Sequence, residues 1–321
     1  MTDLLLSFLK SNFIILYKKV YIIGAGKTGS ALAFGLQDIG YKIDFLTGRN
    51  PEVLKELSAN IHLISYSENI EIEFVSASDI IFICVQDRNI NEVVSSLANF
   101  NLDLSGKFFI HTSGAESTDI FPEKKFNIDK LLSMHPIQTF NKISYSSNKL
   151  LENIYFGIEG GIQAVALAKE IIERLNSKYI EIPKDKKLLY HSACVISSNF
   201  LITLLNISSE IMGSIGIDKG KTFEIFKPIV ETTLGNISDD GLINSLTGPF
   251  ERNDVETISK HLSSINKELP SLIPFYTLLG METVKVAFKK ESLNLKNVIS
   301  ILDLMNEYIV SEYQTGKKTI N

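Results

Sequence analysis

One short stretch near the N-terminus constrains the whole chain. Val20-Tyr21-Ile22-Ile23 is an apolar run rich in β-branched residues. Gly24-Ala25-Gly26-Lys27-Thr28-Gly29 follows it directly, and Ser30 to Ile39 then has a helical pattern that stops at Gly40, a natural C-cap. A G-x-G-x-x-G turn that leaves a strand and opens a helix is the local context of a dinucleotide site. The reasons are steric and electrostatic. Gly24 permits the tight turn, Gly26 lets a pyrophosphate approach the backbone, and Gly29 lets the helix pack on the strand. Ala25, Lys27 and Thr28 complete the turn, and the helix N-terminus offers free N–H groups to phosphate oxygens.

The same alternation continues down the chain. Residues 41–47 read as a second strand, and 52–57 as a helix after Pro51. Residues 79–85 (DIIFICV) form a continuous apolar run, as expected of a parallel strand buried on both faces. A helix over 90–100, strands at 107–111 and 131–134, and a further strand–helix–strand cycle at 154–159, 163–175 and 179–182 follow. This pattern predicts an α/β doubly wound parallel sheet. After Pro183 it gives way to helical periodicity over 186–212, 219–234, 251–268, 272–289 and 295–313, an all-α C-terminal domain. We divide the chain into an N-terminal extension (1–16), a dinucleotide-binding domain (17–182) and a helical substrate and dimerisation domain (183–321).

Composition narrows the class. A net charge of −5 argues against bulk attraction to nucleic acid or to an anionic membrane. Cys84 and Cys194 form no CxxC pair, so neither a zinc site nor a disulfide framework is expected, and a reducing cytoplasm is the simplest setting. The apolar run at the N-terminus is broken by Lys10 and Asn12, which suits an amphipathic extension or an early start codon better than a signal peptide. No other segment reads as long and apolar enough to span a bilayer, so a soluble protein is expected.

The end of the second strand selects the cofactor. A site for the unphosphorylated dinucleotide places Asp or Glu there for the ribose 2′-OH. This chain has Thr47-Gly48-Arg49-Asn50, and Asp44 falls mid-strand. Arg49 can hold a 2′-phosphate, which favours NADPH; the plainer reading of Arg49 is a solvated loop charge. Val85 and Gln86 end the third long strand and are expected to line the nicotinamide side.

Several polar residues stand at positions where parallel sheets bind ligands, beyond the carboxyl ends of strands. They are Ser113 in HTSGA and His135 in MHPIQTF, each matched by a turn or capping role. On the long helix Lys187 and His191 are four apart and share a face that Ser198 and Asn199 extend. That face is either simply solvated or an anion-binding, proton-donating surface. Thr247 precedes a Gly-Pro turn into a helix bearing Arg252 and Asp254, which read as a capped helix with a surface pair or as an Arg that holds a substrate carboxylate.

Taken together, GAGKTGSALA, ICVQD, HTSGA, HPIQTF, FGIEG, YHSACVISSN and LTGPFERNDVETISKHL resemble the Rossmann-like proteins with a DUF2520 C-terminal domain, over nearly everything from residue 18 onward. The family is similar in plan to ketopantoate reductases and pyrroline-5-carboxylate reductases. The resemblance implies an NADPH-dependent oxidoreductase acting on a small 2-keto acid, with ketopantoate reduction in pantothenate synthesis as the leading activity. Reduction of a cyclic imine and non-catalytic NADPH sensing are the alternatives. It also implies a homodimer. Related reductases carry Lys-x-x-x-Asn on the interdomain helix, with Lys as general acid. Here Lys187 fits the Lys position and His191 stands where Asn is expected, so either can donate the proton. Ser113, His135, Asn199 and Thr247 would orient the substrate, and Arg252, fixed by Asp254, would hold its carboxylate. No metal is expected.

Overall fold

A computed structural model describes residues 18–147 and 149–316, with side chains through residue 309. The extension 1–16 lies outside the described residues. The chain divides into two compact units, one up to Phe200 and one from Leu201 onward. The strand–helix alternation ends near Pro183, whereas the first half of the long helix groups with the sheet.

The first unit is a sheet of eight strands: β1 (Val20–Ile23), β2 (Ile43–Thr47), β3 (Ser65–Ser67), β4 (Ile80–Ile83), β5 (Phe108–His111), β6 (Leu131–Pro136), β7 (Tyr155–Gly160) and β8 (Lys178–Glu181). Their order is β3-β2-β1-β4-β5-β6-β7-β8. Its helices are α1 (Lys27–Asp38), α2 (Pro51–Asn60), α3 (Ile72–Ala77), α4 (Asp87–Asn99) and α5 (Ile162–Arg174). Side chains of β1 alternate between two cores, as a period of two requires. Val20 and Ile22 pack with Leu32, Leu54 and Leu167 on one face, and Tyr21 and Ile23 with Val75, Ile90 and Val94 on the other. Helices therefore cover both faces, which is why β1 and β4 are apolar at every position.

One pairing departs from the expected parallel sheet: β7 runs antiparallel to β6, with Ser133 opposite Glu159 and His135 opposite Gly157. A parallel neighbour needs a crossover, usually helical. The described residues between β6 and β7 contain no helix, whereas α5 carries the chain from β7 to a parallel β8. The sequence pattern also passes over β3 and α3, which are too short to show a period.

From Leu201 onward all described elements are helical. α6 (Lys187–Ser214) enters from the first unit, followed by α7 (Thr222–Asn244), α8 (Val255–Glu268), α9 (Ile273–Lys289) and α10 (Leu295–Gly316). α7 contains Pro228 and kinks at Gly241, where φ is +80°. Ile258, Leu262, Ile273, Val284, Ile301 and Met305 form this unit's core.

The structure corrects one expectation about α6. The helical stretch Lys184–Ser214 is long and apolar enough to cross a membrane, with a mean hydropathy of 1.6. Serines and two asparagines spread along the helix hide the run from a reading that looks for unbroken apolar residues.

Candidate active site

The glycine turn has the geometry its sequence implies. Gly24 takes φ +114°, and a Cβ there would lie 2.6 Å from the Cys84 carbonyl oxygen. A Cβ on Gly29 would lie 1.8 Å from the Gly24 carbonyl oxygen, so the first turn of α1 seats directly on the strand end. At Gly26 a Cβ would meet nothing within 4 Å, because its backbone faces an open cleft. That cleft, of about 750 Å³, is lined by Gly24, Ala25, Gly26, Arg49, Val85 and Gln86 among others. Lys27, Thr28 and Gly29 form the first turn of α1 beside it, and Ser113 is not part of its lining.

The adenosine end lies at β2. Thr47 is fixed by a 2.6 Å hydrogen bond with the Tyr21 hydroxyl and donates to the Asn69 carbonyl at 3.1 Å. A Cβ on Gly48 would fall 2.6 Å from the Ala25 Cβ, so only glycine lets this loop close against the turn. Arg49 follows, exposed at the cleft, and Asn50 caps α2 by accepting from the Glu52 and Val53 amides. Asp44 is buried and accepts from the Val20 amide at 2.9 Å, so its carboxylate braces β1 and is not presented to a ribose. Burial pushes its pKa up. Glu68 and Asn69 complete this wall; they follow a three-residue strand, and no sequence signal marks them. The open phosphate-side backbone, the absence of a ribose carboxylate at the end of β2 and the exposed Arg49 fit a 2′-phosphorylated dinucleotide.

Beyond the ends of β5 and β6 lies a second constellation. Lys187, the first residue of α6, is only 2% exposed. Its Nζ donates to Ser133 Oγ at 2.5 Å and to the Ser113 carbonyl at 3.2 Å. Ser133 Oγ also donates to that carbonyl, at 3.0 Å. Burial lowers the Lys187 pKa to about 8, against the opposing pull of Glu159 and Asp87. Desolvation is the main cause of this shift. The Ser113 hydroxyl closes its own turn by accepting from the Ala115 and Glu116 amides at 3.1 and 3.0 Å.

Three rings surround this lysine. His135 Nδ1 lies 2.7 Å from the Tyr190 hydroxyl. His135 and His191 meet edge to face, with centroids 5.9 Å apart. A Cβ on Gly114 would lie 2.7 Å from His191 Cδ2 and 3.0 Å from His135 Nε2, so both imidazoles rest against this glycine. A Cβ on Gly157 would collide with the Tyr190 hydroxyl. Burial, then the charges of Lys187 and His191, bring the His135 pKa down to about 4. Burial also pushes the Tyr190 phenol well above its usual value. At neutral pH His135 is thus an uncharged imidazole and Tyr190 an intact phenol. His111, buried and stacked on Phe121, falls to about 3 mainly through burial. Ser133, Tyr190 and Gly157 escaped the sequence reading. Tyr190 was marked only by its place between Lys187 and His191 and at the head of YHSACVISSN.

The remaining candidates lie on other elements. Asn199 is exposed two turns beyond His191. In the helical unit Thr247 and Arg252 are exposed. Asp254 is the N-cap of α8, accepting from the Thr257 amide at 3.0 Å and hydroxyl at 2.8 Å. Arg252 and Asp254 make no ion pair among the described residues; the Asp254 carboxyl is held below its usual value first by the Thr257 hydrogen bonds and then by the Arg252 charge. No cluster of metal-ligating side chains occurs among the described residues.

Comparison with known proteins agrees with this geometry. Residues 19–113 match the family described as NADP oxidoreductase, coenzyme F420-dependent, and residues 154–283 match a domain of unknown function, DUF2520. No curated protein matches the sequence. Among solved structures, a protein of Thermotoga maritima is 25% identical, with a TM-score of 0.67 over 85% of this chain and 99% of its own. A Bacteroides fragilis protein provisionally assigned as an NADP oxidoreductase is 20% identical, with a TM-score of 0.66 over 84% and 99%. The pyrroline carboxylate reductase of Plasmodium falciparum, solved with NADP, is 15% identical, with a TM-score of 0.56 over 87% and 98%. The chain is thus similar to NADP oxidoreductases over residues 19–113 and to DUF2520 over residues 154–283.

Proposed function

We propose that this Rossmann-type NADP oxidoreductase reduces the carbonyl of a small 2-keto acid, ketopantoate being the leading candidate. The observation that carries the reading is the buried Lys187 beside His135 and His191, at the ends of the strands next to the dinucleotide cleft. NADPH supplies the hydride when bound. The chain must then neutralise the alkoxide that forms. Two of the Lys187 N–H groups are held by Ser133 and the Ser113 carbonyl. With its pKa near 8, its ammonium can release a proton close to neutrality. His191, half-buried on the same helix face, is the alternative donor. Ser113, acting through its carbonyl, positions Lys187. Arg252, Thr247 and Asn199 remain the sequence-level candidates for substrate contacts.

A cyclic imine is the second substrate class, favoured by the likeness in fold to a pyrroline carboxylate reductase. A protonated imine already carries its proton and would be repelled by Lys187, which is why the keto acid is preferred. The test is NADPH consumption, followed by absorbance, with ketopantoate, other 2-keto acids and pyrroline-5-carboxylate. Turnover of ketopantoate supports the reading. Turnover of the imine alone moves the assignment to imine reduction. NADPH binding without turnover of any of them leaves a sensor.

The proposed homodimer rests on the helices. In the helical unit Ile202 of α6 and Phe223, Ile229 and Leu242 of α7 are each more than half exposed. Surfaces of this kind mark interaction sites. A bilayer is the poorer occupant: α7 carries the Lys227–Glu231 pair as well as Asp239 and Asp240, and α6 is tethered to the sheet through Lys187. A second copy covers such a face without desolvating those charges.

A further inference from the structure

We infer that Tyr190 is a positioning residue: it donates its O–H to His135 Nδ1, locking His135 in the Nε2–H tautomer and presenting that N–H at Gly114 to an oxygen of the bound substrate. The inference rests on the reductase reading above and adds to it a donor for the substrate oxygen that is separate from the proton source.

The argument is one of donors and acceptors. A neutral imidazole has one N–H and one bare nitrogen, and the partner of one nitrogen sets the role of the other. His135 is half-buried beside Lys187 and His191, and this holds its imidazole neutral. Tyr190, half-buried as well, keeps its proton. Its hydroxyl also hydrogen-bonds Cys194, where a thiol S–H can donate to the phenol oxygen, so the phenol O–H, more acidic than an imidazole N–H, is left to donate to the His135 nitrogen 2.7 Å away. The His135 N–H then sits on Nε2. That nitrogen faces the Gly114 backbone, where the edge of His191 also converges. Gly157 makes the arrangement possible, since any side chain there would displace the Tyr190 hydroxyl. His135 is the penultimate residue of β6 and Gly157 lies opposite it in β7, so the antiparallel pairing sets the tyrosine's seat and the histidine's place together. No covalent step is assigned to the pair. It holds a hydrogen bond aimed at the oxygen where charge accumulates, which needs no reorganisation during the reaction.

The test uses full-length protein labelled with ¹⁵N-histidine, with His135→Gln to assign the resonances. The expected spectrum shows His135 as the Nε2–H tautomer, shifting to mixed tautomers in Tyr190→Phe while the other histidines hold their positions. With NADP⁺ present, titration by pantoate should move the His135 Nε2 resonance, and L-proline serves as the parallel probe for the imine reading. Tyr190→Phe should lower kcat roughly 10-fold, and His135→Ala about 100-fold, both with unchanged NADPH affinity. A response to proline and not to pantoate sinks the keto-acid reading while upholding this pair. An Nδ1–H tautomer in the wild-type protein overturns the inference. So does a tautomer that is unchanged in Tyr190→Phe, or a His135 resonance that ignores both probes.

Discussion

The Lys187 ammonium donates to Ser133 Oγ at 2.5 Å, which anchors the first residue of a 28-residue apolar helix in the loop end of the central sheet. Together with the Tyr190–His135 hydrogen bond, this fixes the helix in register at its N-terminus. His191, one turn on, is brought to Gly114 by the same anchor.

Activity should therefore follow the Lys187 charge. Its pKa of about 8 means that the protonated, donating form is lost as pH rises through that value, so kcat/KM should fall above pH 8. Stability should move the other way. The unfolded chain holds this proton up to about 10.5 and the folded chain only to about 8, so unfolding free energy rises with pH between the two. Relative to Lys187→Met, wild type should gain on the order of 3 kcal/mol across that window, at about 1.4 kcal/mol per pH unit. Urea titrations at several pH values measure it, and a constant difference would show that Lys187 is not titrating in this range.

Arg49 should discriminate between cofactors. Arg49→Glu is expected to weaken NADPH binding on the order of 10- to 100-fold, the scale of a charge-assisted contact, and to leave NADH nearly unchanged. Fluorescence titration with both nucleotides decides it, and equal losses refute the 2′-phosphate assignment.

The second and third glycines of the turn should separate stability from binding. Gly29→Ala forces a Cβ into the Gly24 carbonyl and should cost roughly 1–3 kcal/mol of stability, as overpacking does. Gly26→Ala has open space before it, so its melting temperature should stay near wild type while NADPH affinity falls. A stable Gly29→Ala protein with intact binding would contradict the close approach of α1 to β1.

The helical surface should report its partner in solution. Ile202→Glu and Ile229→Glu place charges on residues 68% and 64% exposed. Each should halve the sedimenting mass if a second copy covers this face. A wild-type protein that already sediments as a monomer removes the dimer proposal.

Much of the plan was legible because its signals are local. The Gly24–Gly29 turn, the apolar runs of β1 and β4 and the break in pattern after Pro183 each follow from side-chain type over a few residues. Asp44 was likewise set aside on position alone, and its buried hydrogen bond to Val20 supplies the reason. The catalytic candidates were harder. Lys187 and His191 were recognisable as one helix face, yet nothing in their spacing showed that one would be sealed from solvent and the other left half open. Asp254 caps α8 through the Thr257 amide, as a capped helix requires, and the Arg252 charge adds to the hold on its carboxylate.

The residue sequence by itself determined a doubly wound sheet with a phosphate-binding turn and a helical sequel, because periodicity and glycine placement act through neighbours in the chain. Tertiary structure alone decided that β7 reverses direction, that Ser133 meets Lys187, and that Tyr190 reaches His135 across 55 positions. Those contacts join distant segments. Their burial and hydrogen bonding, which set both charge and tautomer, exist only once the strands and α6 have packed.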